Sequence, residues 1–314
     1  MATTKLSELM IDMETGDACM EDAYIASAKG QINVSHAIFE AAYKNSELPD
    51  DGQFVCYVES AQEGIPTETK KASGVACAAV GKELGAYLDA VVATAKKVKN
   101  SAEKDLKTMI VIGKKVGVAM SENFEKDFAK PLGESICSDG KLTLNTDGKF
   151  IKGKDAYKIA KAYTNGCVKA LSAFGISIDI PEAVKDFTGC ECGSGTVSSL
   201  KQVDTKIKES GSAFKTGDGS TTGTVKPKDI TDVALAIYSC ANVADAVIKA
   251  VSASAKKEAM TNINSFCGDK LGNSHHSING DIQGYMNNLE KIGNTIASGF
   301  TDSAYALMET ISKK

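Results

Sequence analysis

Apolar and small residues between positions 229 and 259 fall at Ile230, Ala234, Ile237, Ala241, Ala244, Ile248, Val251 and Ala255. The steps alternate four and three, which lines these residues along one face of an α-helix. This is the best-specified stretch of the chain, and the other periodic segments read as helices that cover it. Val80, Leu84, Tyr87, Val91, Thr94 and Val98 stripe a helix over residues 67–99. Ser101 then reads as the N-cap of a further helix running to about Ala129, ahead of Pro131. Ile159, Tyr163, Cys167, Leu171 and Phe174 stripe residues 155–174, with Gly175 as the stop. Ile282, Tyr285, Leu289, Ile292 and Ile296 stripe a long C-terminal helix over residues 281–312, with Gly299 as its natural break.

Other patterns interrupt this helical period. Leu142 and Leu144 alternate, Asp147-Gly148 makes a turn and Phe150 follows, so residues 139–153 predict a β-hairpin. Ile176, Ile178 and Ile180 also alternate, and Pro181 opens a short helix. Residues 188–228 are rich in Gly, Ser and Thr, which marks a linker or mobile excursion holding one short helix near 197–209. Gly74, Ala78, Gly81 and Gly85 form a stripe of small residues, which predicts a neighbouring backbone packed close against it. The fold class expected is mainly α, a bundle of long antiparallel amphipathic helices with one small β-hairpin. Its divisions are an acidic helical N-terminal segment (1–66), a helical body (67–187), the linker or excursion (188–228) and C-terminal long helices packing on the body (229–314). Ala90–Lys97 and Ala250–Lys257 share six of eight residues, an echo that an internal duplication or simple convergence of Ala/Lys-rich helices both explain.

Charge divides the chain. Residues 1–66 carry 3 Lys against 12 Asp and Glu, while the remainder carries 33 Lys against 28 acids. The basic residues concentrate between Lys96 and Lys115, where seven Lys face only Glu103 and Asp105. That surface suits weak, non-specific contact with nucleic-acid phosphate, although no aromatic lies between Tyr87 and Phe124 to stack on bases. It equally suits the acidic segment, whose stripe of Ile32, His36, Phe39 and Tyr43 needs a partner in its own chain or a neighbour. All 36 basic residues are Lys and none is Arg. The absence of a forked guanidinium argues against nucleotide enzymes and sequence-reading DNA-binding proteins.

Candidate chemistry is sparse. Cys190 and Cys192 are the close thiol pair, and two thiolates two apart suit a soft metal or a redox cycle. Zinc would need further ligands, for which His275 and His276 are the nearest candidates, but no Cys-x-x-Cys or spaced His pair is present. Asn145–Gly148 imitates part of an EF-hand loop, but Lys154 stands where its bidentate Glu belongs. The acids between Asp12 and Asp22 suit a hard cation or simply a wet helix start. With three His in the chain, a His-based catalytic set has few ways to exist.

The N-terminus lacks the basic and apolar pattern of a signal peptide, and no apolar run approaches the length needed to cross a bilayer. The expected function is therefore that of a non-enzymatic helical structural or assembly protein, cytoplasmic or inside a virus particle. It is expected to form a homo-oligomer or larger assembly, without cofactor or membrane. A thiol- or metal-binding protein using Cys190 and Cys192 is the alternative, and an enzyme with an unrecognised site the second.

Overall fold

The computed structural model describes residues 67–145, 149–191, 196–217, 219–266 and 274–313. The helical segment, the acids between Asp12 and Asp22 and the stripe through His36 expected within residues 1–66 lie outside them. In chain order the elements are α1 (Thr67–Lys115), a π-helical turn (Phe124–Ala129) that leads into α2 (Lys130–Ile136), β1 (Leu142–Thr143), β2 (Phe150–Ile151), α3 (Gly153–Ser172), α4 (Glu182–Thr188), α5 (Leu200–Ala213), β3 (Thr221–Thr222), β4 (Thr224–Val225), α6 (Pro227–Ala250), α7 (Ala253–Phe266), α8 (Ser274–Thr295), a second π-helical turn (Ile296–Phe300) and α9 (Thr301–Ser312). The fold is mainly α.

Helix α6 occupies the centre. Pro227 sits in its first turn, where a missing N–H costs nothing. Asp229 fixes its start by accepting the Lys226 N–H at 3.0 Å. The other carboxylate oxygen accepts the Gly153 N–H at 3.1 Å, so one side chain ties together the first turns of α3 and α6. A Cβ at Gly153 would lie 2.8 Å from the Asp229 Cα, which is why glycine stands there. Residues 232–237 of α6 are buried without interruption, so the helix has more than the single apolar face its period predicts. It is long and apolar enough to cross a bilayer, contrary to the expectation of no such segment, yet most of it is buried inside the protein. A helix apolar on nearly every side is satisfied by a protein core as well as by lipid. Here α1 and α3 cover two sides, with α2 and α4 completing the enclosure.

Helix α1 is unbroken through Ser101, so the expected N-cap there is not formed. Packing on both sides overrides the local preference. The Ser101 hydroxyl instead donates to the Ala297 carbonyl at 3.1 Å, linking α1 to the second π-helical turn. Lys99–Asp245 at 2.5 Å and Lys256–Asp89 at 2.5 Å set α1 antiparallel to the α6–α7 stretch. The second neighbour of α1 runs the other way from that expected. Tyr87 meets Tyr285 at a ring separation of 4.1 Å, Lys97 bonds Asn294 at 2.5 Å and Lys115 bonds Ser312 at 2.8 Å. Both partners advance together, so α1 and α8–α9 are parallel. The small-residue stripe does not mark a close backbone at Gly85, where a Cβ would have nothing within 4 Å.

The extended segments fall where alternation placed them, but they do not form a hairpin. Leu142 pairs with Val225 and Thr143 with Thr224, while Phe150 pairs with Thr222 and Ile151 with Thr221, all antiparallel. Both arms are therefore completed by a stretch from the expected linker. That linker also holds α5, whose Leu200, Val203 and Ile207 are buried, with α3 and α8 as its main neighbours. Phe214, at the C-terminal end of α5, fills the space over Gly166, where a Cβ would sit 2.4 Å from its ring. Residues 176–180 alternate in burial as expected, without joining a ladder. The π-helical turn at Ile296–Phe300 replaces a clean break at Gly299, whose missing Cβ leaves room for Ile151.

Two glycines give opposite tests of this packing. A Cβ at Gly133 would lie 2.3 Å from the Pro227 carbonyl oxygen, a backbone atom that has no rotamer to change. Gly133→Ala should therefore cost about 1–3 kcal/mol or more through overpacking. Gly85→Ala enters open space in mid-helix and should gain about 0.5–1 kcal/mol. Urea unfolding midpoints of the two variants should move in opposite directions.

Candidate functional site

Of the sequence-selected thiol and histidine candidates, only the Cys190 side chain falls within the described part of the structure. Cys190 is buried directly after Gly189, the left-handed residue that caps α4. Cys192 lies outside the described residues. His275 and His276 fall in the first turn of α8. Among the described residues no group of three His, Cys, Asp or Glu side chains is placed to hold a metal ion. Cys167 and Cys240 are fully buried, and burial pushes both thiols up, that of Cys167 to about 12. Thiols held protonated in this way are poor nucleophiles. Asn145 donates its N–H to the Thr310 hydroxyl at 3.2 Å, a packing contact between the β1–β2 connection and α9.

A cleft of about 600 Å³ opens beside the first turns of α6, between α2, α3 and α4. Tyr157 and Phe187 form an edge-to-face wall at 5.5 Å, and Lys228 bridges both oxygens of Asp232 at 2.8 Å. Glu125, Glu134 and Asp186 oppose Lys130 and Lys228 around it. Its lining residues include no histidine or cysteine, and its charges are mixed in sign. They define no single ligand chemistry.

The more distinctive surface lies where the C-terminal half of α1 meets α9. Among the described residues the exposed large apolar side chains are Tyr305 (53%), Val111 (46%) and Met120 (45%). Lys104 places its ammonium 5.7 Å from the centre of the Tyr305 ring, a cation–π contact. Val111 follows Lys104 by two turns on the same stripe, flanked by exposed Lys107, Lys114 and Lys115. Of the seven lysines, Lys99 is committed to Asp245 and Glu103 and helps hold α1 to α6. Linear reading missed Tyr305: no aromatic lies between Tyr87 and Phe124 along the chain, but α9 supplies one in space. Its relation to Lys104 depends on the parallel placement of α9, which no local pattern encodes.

A buried carboxylate lies directly beneath this face. Asp105 is 2% exposed, and the Thr301 hydroxyl lies 2.9 Å from each of its oxygens. The same hydroxyl reaches the Ala297 carbonyl at 3.0 Å, so its one proton is shared among competing acceptors. Burial raises the Asp105 pKa to about 6, against smaller opposing effects of the Thr301 hydrogen bond and Lys104. The network couples α1 to the π-helical turn, where Ala297 also accepts from Ser101. Such turns recur at functional positions in helices, though here the visible role is to reshape α8–α9 around Ile151 and Asp105.

No protein-family model, curated protein or solved structure matches this chain.

The Asp105 environment sets a pH dependence of opposite sign to that of a salt-bridged carboxylate. Between the unfolded value near 4 and the folded value of about 6, the folded state holds the proton and the unfolded state does not. Stability should thus fall as pH rises through that window and level off above it, by on the order of 3 kcal/mol for this group. Asp105→Asn should remove this fall while keeping the Thr301 contact. Thermal melts of both proteins from pH 4 to pH 8 would show it. Parallel pH profiles for the two would contradict the assignment.

Proposed function

We propose that this chain is a non-enzymatic structural protein that acts by associating with further copies of itself. The observation that carries this reading is the α1–α9 face, where Tyr305 and Val111 are half exposed beside the lysines of α1, with Asp302 and Glu309 on the α9 side. Apolar side chains framed by charge combine a contact that survives salt with groups that steer and orient a partner. The chain is suited to a particle built from many subunits, such as a virion, and to work inside a cell or particle. Contact with nucleic acid through Lys96 to Lys115 would be a weak, sequence-independent addition to that role.

The test is the mass of the full chain in solution, measured by sedimentation or light scattering across protein concentration and salt. Self-association should appear at low salt and weaken as salt shortens the reach of exposed charges to about 8–10 Å. The apolar part of the contact should remain at high salt. A chain that is monomeric at every concentration and salt would sink the reading.

A further inference from the structure

We infer that the α1–α9 face, built on Lys104, Val111 and Tyr305, docks the acidic segment 1–66 of a neighbouring copy, so that subunits join head to tail. The inference rests on the assembly reading and names its partner. Three observations lead to it.

The first is charge. On its α1 side the face presents exposed Lys104, Lys107, Lys114 and Lys115; on its α9 side Asp302 and Glu309 flank Tyr305, with Glu309 paired to Lys313. Residues 1–66 carry 12 acids against 3 Lys, with the acids clustered between Asp12 and Asp22. Among segments of this chain of comparable length, this is the strongly anionic one.

The second is apolar content. Residues 1–66 contain Ile32, Phe39 and Tyr43 at helical spacing, which supply apolar side chains to meet Tyr305 and Val111. A purely solvated acidic tail would have nothing to set against them.

The third is distance. The segment joins α1 at Thr67, and α1 is a single helix to Lys115. Lys104 and Val111 therefore lie about 55–65 Å along the rod from that junction, at about 1.5 Å per residue. Tyr43 lies 24 residues before Thr67. Even as a free coil that stretch would reach roughly 27 Å on average. Docking within one chain would demand that it stretch to about twice this length beside the helix. A neighbouring copy aligned end to end meets no such demand. The contact joins two different surfaces, so it is heterologous and propagates into a ring or a filament.

The experiment uses two full-length variants. One is Val111→Asp with Tyr305→Asp, both at exposed positions, which places acids on the docking face. The other is Asp17→Lys, Glu21→Lys and Asp22→Lys, which reverses part of the acidic cluster. Circular dichroism confirms that each keeps its helical content. Each variant alone should lose self-association by about tenfold or more relative to the unaltered chain at low salt. Mixed together, they should form a one-to-one pair, because the intact face of the second variant accepts the intact acidic segment of the first. An unaltered chain that assembles while the face variant still reaches the same mass would overturn this inference and leave the assembly reading standing. Two blocked variants that form no pair on mixing would also overturn it. A monomeric unaltered chain would remove both.

Discussion

The fold depends on how little of α6 can be left wet. Val233, Ala234, Leu235, Ala236 and Ile237 are successive and all buried, so the helix keeps only a narrow half-exposed stripe through Thr231, Tyr238, Asn242 and Asp245 to the exposed Lys249. A single amphipathic partner could not satisfy such a helix. It needs neighbours around most of its circumference, and α1, α3, α2 and α4 supply them. The same constraint explains the short contacts at glycine. Gly133 and Gly153 let backbone approach backbone at the first turns of α6, where bulkier residues would leave the helix standing off its neighbours. Asp229 then fixes the register of α3 against α6 by serving two backbone donors at once.

Around that centre, α1 joins two systems of opposite direction. Its antiparallel contacts with α6–α7 carry exposed or half-buried ion pairs, each worth about 0–1 kcal/mol. These pairs orient more than they stabilise. Its parallel contacts with α8–α9 are of a different kind. Tyr87, Tyr285 and Phe214 form a buried aromatic chain, and the Tyr87 hydroxyl is satisfied by Ser210 at 2.8 Å. Burying rings of this size, with the one hydrogen bond in place, contributes far more than the surface pairs. The long rod is thus held chiefly by its apolar stripe, as periodicity implies.

Helix existence and the inward residues were legible because each depends on a local period. Tyr87, Tyr163 and Tyr285 were all placed on stripes and are all fully buried. Directions and pairings were not legible, because they depend on contacts distant in sequence. The arms around Leu142 and Phe150 are readable as extended, but their partner at residues 221–225 sits seventy or more residues away and resembles a loop in composition. Ser101 shows the reverse failure: a good local cap signal yields to side-chain contacts with Ala297 and Thr301 that exist only after folding. The candidate face divided in the same way. Its lysines were visible as a run, whereas Tyr305 belongs to it only through the parallel placement of α9.

The same face constrains which symmetry an assembly could adopt. A two-fold pairing centred on the α1 side of this face would bring Lys104, Lys107, Lys114 and Lys115 against the same four residues, with Asp302 and Glu309 set off to the α9 side. Like charges across an interface oppose association, and a rim of lysine acts against self-pairing even where Tyr305 and Val111 would favour it. The buried Asp105 offers little relief, because its carboxyl is enclosed beneath the surface and already engaged by Thr301. A partner surface of opposite sign removes the repulsion and leaves the apolar attraction. Within this chain, that sign is concentrated in the sequence that precedes Thr67, where α1 begins.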